Sequence, residues 1–556
     1  MGSAPEATEY DVIVIGAGFS GLYALHRFRQ LGLKALVFEA GEDVGGVWHW
    51  NRYPGARVDS EWPFYQLSMP EVWRDWNFTE RFPSSEEIRD YFAHVVKVLD
   101  LRKDIRFNAR VNSAEWSEES GRWTVKTEAA HQATGKYLFL CSGLLHRRHY
   151  PEFPGFTKYK GIVHHSAFWP DNVDTSGKKV CVIGAGATGV QLVQELAKTA
   201  EHLTVLMRRP SLCLPMGNRS ISVSEQTAWK SFYPALFRQG RLSGGGLPLT
   251  PPKGSIYDLT DAERESYYES IWKSASFGFG GANFPEIFSD MKANRIAYDF
   301  WAKKTRARIS DPKKRDLMAP IEPPYPILTK RCPLEQDYYE MLDKPSVDIV
   351  NLNENTISSF TETGIKFQDG TESDFDYVIL ATGFDSFTGS VANMGLKSKD
   401  GRDIKSIWSE DGIATYLGMT IRGFPNCFMS YSPQGTQTHQ PKNMLTFVSQ
   451  APTALSNGPT ILECQVDFVV SAIEKLEAEK VKSIEPSSEA QTGWGDMINE
   501  TASKTLFPLT NSWWNGGNIP GKKVQLLSYV GGIAEYEKQC LDTLADWKGF
   551  EIKSAS

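Results

Sequence analysis

Cysteine is scarce in this chain of 556 residues: there are seven, Cys141, Cys181, Cys213, Cys332, Cys427, Cys464 and Cys540, scattered, odd in number and without a C-x-x-C pair. That excludes a disulfide framework and a cysteine zinc site, leaves no metal ligands to assign, and points to a reducing, cytoplasmic compartment. Long apolar runs are also missing. None approaches the roughly 20 residues of a membrane span, no cationic stretch leads into an apolar one as in a signal peptide, and Glu6 breaks a myristoylation pattern at Met1-Gly2. Lysine and arginine form no long run, and 60 of them face 67 acidic residues for a net charge of -7. Nucleic acid and anionic membranes are therefore poor partners. A small-molecule substrate is expected, and the oligomeric state stays open, a monomer being compatible.

What is present is repetition. With 41% hydrophobic residues the chain can build more than one core, because single cores stop growing near roughly 250–300 residues. Near the N-terminus a β-branched run, Asp11 to Ile15, leads into Gly16-Ala17-Gly18-Phe19-Ser20-Gly21 and a helical pattern. This is a β-turn-α start in which Gly16, Gly18, Ser20 and Gly21 bring backbone and helix N-terminus up to a pyrophosphate. The next strand ends at Glu39, an acceptor for both ribose hydroxyls of an unphosphorylated adenosine such as that of FAD or NAD. The design recurs at Val180 to Ile183 and Gly184-Ala185-Gly186-Ala187-Thr188-Gly189, followed by a helix that carries Gln191. Here the next strand ends not in a carboxylate but in Arg208 and Arg209, which suit the 2'-phosphate of NADP.

One turn for FAD and one for NADP predict a flavoprotein that takes hydride from NADPH. The fold class expected is α/β, with two Rossmann-like dinucleotide-binding domains. Apolar strands at Tyr137 to Gly143 and Asp376 to Asp385 mark the crossings between them. This gives an FAD domain over 8–147 and 385–556, and an NADP domain over 148–220 and 326–384. Residues 221–325 read as a helical insert, opened in part by a capping box from Thr260 to Glu263.

Between the two turns lie G-G-x-W-x-x-x-x-Y-P-G-x-x-x-D, from Gly45 to Asp59, and G-x-x-x-H-x-x-x-W-P-D, from Gly161 to Asp171. With the tail stretch "SWWNGGNIPGK", these motifs resemble the type I Baeyer-Villiger monooxygenases over nearly the whole chain. Tyr159 stands where that family's fingerprint has Phe, and residues 431–459 look longer than the matching family segment. The resemblance implies that Trp48, Arg57, Asp59, Tyr65 and Val111 contact FAD, that Lys330 and Arg331 lie near NADP and the flavin, and that Trp513 covers NADP. It makes His165 a linker residue controlling domain motion.

It further implies that FAD, NADPH and O2 convert a ketone to an ester or lactone through a C4a-peroxyflavin. A deprotonated peroxide must attack the carbonyl, so a permanent cation such as Arg331, oriented by Asp59, is wanted beside it. Two alternatives stand: a flavin-containing monooxygenase acting on amines or sulfides, whose fingerprint lacks the Trp-Pro-Asp ending, and a non-catalytic NADP-binding redox sensor.

Overall fold

The structure is a computed structural model that describes residues 8–434, 456–518, 525 and 527–554. Most of the 431–459 stretch and part of the tail motif lie outside the described residues.

The first strand, β1 (Thr8–Ile15), has fully buried Val12, Ile13 and Val14 because it is covered on both faces, which is why its sequence is continuous rather than alternating. It pairs in parallel with β2 (Ala35–Phe38) on one side and with β6 (Gln132–Leu140) on the other. Beyond these lie β3 (Ile105–Arg106), β4 (Val111–Ser117) and β5 (Arg122–Thr127), giving the order β3-β2-β1-β6-β5-β4. The second sheet contains β7 (Ile162–His165), β8 (Lys179–Ile183), β9 (His202–Met207), β10 (Val347–Asn351) and β11 (Tyr377–Leu380), all parallel in the order β10-β9-β8-β11-β7. A late strand, β12 (Cys427–Met429), returns to the first sheet beside β6.

Each glycine turn leaves the C-terminal end of a central strand, β1 or β8, and enters a helix: α1 (Phe19–Gln30) or α2 (Ala187–Thr199). The packing there requires glycine. A Cβ on Gly21 would stand 1.8 Å from the Gly16 carbonyl oxygen, and one on Gly189 would stand 2.1 Å from that of Gly184. Helix and strand approach to backbone contact, and the open helix N-termini sit above neighbouring strand ends, where dinucleotides bind in open α/β sheets.

The chain passes between the sheets twice, and the two passages lie side by side. The His149 N–H donates to Gly383 O at 2.9 Å and the Asp385 N–H donates to Arg147 O at 2.9 Å.

Residues 221–325 are helical and include α3 (Tyr233–Leu242), α4 (Asp261–Lys273) and α5 (Met291–Arg306). The Thr260–Glu263 capping box forms at the start of α4 as the sequence predicts. The insert is not confined to the second sheet. Arg241 at the end of α3 pairs with Asp467 (2.6 Å) and Glu537 (3.1 Å), and Trp62 donates to the Tyr233 hydroxyl at 2.7 Å. Asp467 belongs to α6 (Gly458–Ala478), which packs on α1, so the insert clamps onto the first sheet's helices. No helix among the described residues is long and apolar enough to cross a membrane.

Candidate active site

At the first turn the Glu39 carboxylate is buried and accepts the Ala17 and Gly41 N–H groups, each at 2.7 Å. Burial raises its pKa, while these bonds pull the other way by stabilising the anion. The carboxylate thus stands beside Gly16 and Gly18, and Val111 opens β4 nearby. Ser20 inside the turn receives a 2.8 Å hydrogen bond from Ser430, just beyond β12. Trp48 donates its indole N–H to the Tyr65 hydroxyl at 2.9 Å, and Tyr65 meets the Trp48 and Phe19 rings edge-on at 5.7 and 5.3 Å. These rings form an aromatic wall continuing from the turn.

Past that wall sits Arg331. Its Nε and Nη2 donate to the two oxygens of Asp59, both at 2.7 Å, a bidentate pair between residues 272 positions apart. Burial pulls the guanidinium's pKa down, but the Asp59 carboxylate outweighs it and holds the group above its ordinary value. Phe277 lies over the guanidinium at 4.9 Å. Tyr431 completes the surroundings: burial pushes its phenol up to about 12, and the charges of Arg331 and Asp59 both reach it. Neither Phe277 nor Tyr431 was legible as a site residue. Each is one aromatic among many, placed by a distant part of the chain.

Lys330 points to a different neighbourhood. Burial first, then Arg209 and Arg208, bring its ammonium down to about 8, and it lies over the Tyr325 ring at 4.4 Å. The three cations named from the sequence are therefore together, with Arg208 and Arg209 exposed at the end of β9. At Gly186 an added Cβ would meet nothing within 4 Å, so the second turn is open to a phosphate. Glu39 at one turn and three cations at the other fit an unphosphorylated and a 2'-phosphorylated dinucleotide respectively.

A cavity of about 280 Å³ opens beside Arg331 and Lys330. Its walls are mainly apolar, from Leu247, Leu249, Phe277 and Phe288 of the insert, Leu328, and Phe507 near the C-terminus.

Other named residues serve contacts between the sheets. Gln191 accepts from the Tyr53 hydroxyl at 2.8 Å and donates to Arg57 O at 3.0 Å, while the Arg57 guanidinium pairs with Glu80 and donates to Phe82 O. Both side chains also line a cavity between the sheets. Trp513 stacks on Phe387 at 5.8 Å.

The two fingerprint motifs touch. The Phe168 N–H donates to Trp50 O at 2.7 Å, their rings lie 4.4 Å apart, and Asp171 faces Arg52 at 3.8 Å. His165 ends β7 between the rings of Tyr150 (5.2 Å) and Phe384 (5.8 Å), one from each passage. Burial, aided by Arg148, lowers its pKa to about 4, so it is neutral at physiological pH. The hydroxyl that distinguishes Tyr159 from Phe donates to Phe375 O at 2.7 Å.

Comparison with known proteins agrees with this arrangement. A family described as flavin-binding monooxygenase-like matches residues 9–220. The FAD-binding monooxygenase acrE of Aspergillus aculeatus is 42% identical over 98% of this chain and 90% of its own length. Cyclopentanone 1,2-monooxygenase of Comamonas sp. is 38% identical over 95% of this chain and 92% of its own. The crystal structure of cyclohexanone monooxygenase from Rhodococcus sp. Phi1 bound to NADP+ superposes with a TM-score of 0.92 at 32% identity, covering 99% of this chain and 100% of that one. With two dinucleotide-binding sheets, a carboxylate at one turn and a cation cluster at the other, the chain belongs to the Baeyer-Villiger-type flavin-binding monooxygenases and is an NADPH-dependent enzyme that carries FAD.

Proposed function

We propose that this monooxygenase inserts one oxygen atom from O2 beside the carbonyl of a small-molecule ketone, releasing an ester or lactone. The observation that carries the reading is the Arg331–Asp59 pair at the side of an apolar cavity. A ketone has little to offer in hydrogen bonds and much apolar surface, which such a cavity matches. Bound FAD, reduced by NADPH, supplies the activated oxygen. Arg331 stabilises negative charge on that oxygen and on the tetrahedral adduct, and its raised pKa keeps it cationic at any working pH. Asp59 fixes the plane of the guanidinium. Lys330, Arg208 and Arg209 select NADPH, Gly16, Gly18, Gly21 and Glu39 hold FAD, and Gly184, Gly186, Thr188 and Gly189 take the NADP pyrophosphate. In this reading 8–147 with 385–556 bind FAD, 148–220 with 326–384 bind NADP, and 221–325 close the substrate cavity. Trp513 covers the nicotinamide and His165 governs the passage between the domains. Seven buried, free cysteines suit a cytoplasmic setting.

The test is to incubate the enzyme with NADPH, ¹⁸O2 and a mixed panel of linear, cyclic and aryl ketones, and to identify products by mass spectrometry. An ester or lactone carrying one ¹⁸O atom is expected. Oxidation of added thioethers or amines with no ester would assign the flavin-containing monooxygenase reaction instead, and a yellow protein that NADPH does not bleach would leave only the sensor.

A further inference from the structure

We infer that Thr510 is a positioning residue for Lys330 and Arg331, acting through Thr329 and tying them to the segment that carries Trp513; the inference rests on the roles proposed above for those two cations. Lys330 and Arg331 are consecutive yet serve different partners, so the turn before them sets both at once. That turn, Pro326 to Thr329, contains Leu328 with φ of +66°, a left-handed conformation that is costly for a residue other than glycine and persists only when its surroundings hold it.

The holding bonds are visible. Asn294 of α5 accepts the Ile327 N–H and donates to the Ile327 carbonyl, both at 2.9 Å. Thr329 closes the turn, donating its hydroxyl to Pro326 O at 2.6 Å. The Thr329 proton is thereby committed. The 2.7 Å contact between the Thr329 and Thr510 hydroxyls then has Thr510 as donor. Thr329 is fully buried and Thr510 is 1% exposed, so water does not replace this bond without a change in packing.

Thr510 is equally tied on its other side. Its carbonyl accepts from the Asn515 side chain at 3.0 Å, and the Asn515 side-chain oxygen accepts the Ser512 and Gly517 N–H groups at 2.9 and 3.1 Å. This fixes the short turn Trp513–Asn515, while Trp513 stacks on Phe387 and Asn518 donates to Phe384 O at 3.0 Å. One hydroxyl thus joins the Lys330–Arg331 turn to a segment seated on the passage between the sheets. When Trp513 is in place, so is the turn that aims Arg331 at Asp59 and Lys330 at the cation cluster.

The test compares full-length, FAD-loaded Thr510→Val, which keeps the shape and removes the donor, with Thr510→Ser, which keeps the donor. Two quantities are read: ester formed per NADPH oxidised, and the Kd for NADP+ followed by the flavin spectrum. Losing one buried hydrogen bond of ordinary strength should lower the first and raise the second by about 3- to 10-fold in Thr510→Val. Thr510→Ser should stay within about twofold of wild type, and Thr510→Ala stands in if the valine variant does not load FAD. A purely structural role would lower the melting temperature of Thr510→Val and leave both quantities unchanged, which overturns the inference. So does a loss in Thr510→Ser equal to that in Thr510→Val, since the hydroxyl is then irrelevant. If wild type yields no ester from any ketone, the proposed reaction falls, and the NADP+ affinities of the variants still decide the role of Thr510.

Discussion

The role proposed for Arg331 rests on its neighbours. Alone it is a basic residue in "LTKRCPL"; beside Asp59, under Phe277 and at the edge of an apolar cavity it becomes a fixed cation in a site of low polarity. Arg331→Ala should still fold and stay yellow, because the proposed FAD contacts at the first turn and Glu39 do not involve it. Product formed per flavin reduced, measured after mixing pre-reduced enzyme with oxygen and ketone, should fall by about 10²- to 10³-fold. Wild-type coupling in that assay would remove Arg331 from the chemistry.

Lys330 gives a pH prediction with a definite sign. Its ammonium, lowered to about 8, is present below that pH and lost above it, so the KM for NADPH should be flat below pH 8 and rise above it, by up to about tenfold per pH unit. Lys330→Arg, charged throughout, should flatten the rise. With Lys330, Arg208 and Arg209 grouped, NADPH should be preferred over NADH by at least about tenfold, about 1.4 kcal/mol, and Arg208→Ala should narrow the gap mainly through a higher NADPH KM. Equal catalytic efficiency of the wild type with the two cofactors would refute the assignment.

Among the elements, the two glycine turns are the parts most legible from sequence, because their requirements are local. A strand run into a helix over six residues leaves no room for a Cβ where the helix crosses the turn's first carbonyl. Gly21→Ala would place a carbon 1.8 Å from the Gly16 oxygen and should give a protein that purifies without FAD, seen as loss of visible absorbance. Retention of stoichiometric flavin would show that the turn can relax. The cap at Thr260 was legible for the same local reason. The clamp of α3 onto α6 was not, since Arg241 looks like any surface arginine until Asp467 and Glu537 are brought to it. Likewise the sequence does not show that Gln191 also meets Tyr53 and that Arg57 also meets Glu80, since each partner lies far off in the chain.

At the scale of the whole molecule, the scattered cysteines become a single observation: all seven are free and buried. Burial pushes the thiols of Cys141 and Cys332 up to about 12, so neither is a ready nucleophile. A chromogenic disulfide reagent should therefore find almost no reactive thiol in the native enzyme and all seven after denaturation. Rapid reaction of even one native thiol would mean that a core opens readily.

Two glycine turns of the dinucleotide-binding kind, one followed by a carboxylate and the other by cations, follow from the sequence by itself, because backbone sterics at a turn and charge at a strand end act within about 25 residues. The candidate active site does not. Asp59 and Arg331 meet across 272 positions, and the cavity beside them draws its walls from the insert, the turn after it and the C-terminal region. No local preference specifies those meetings. They depend on which surfaces the two sheets and the insert bury against one another, and only the folded chain decides that.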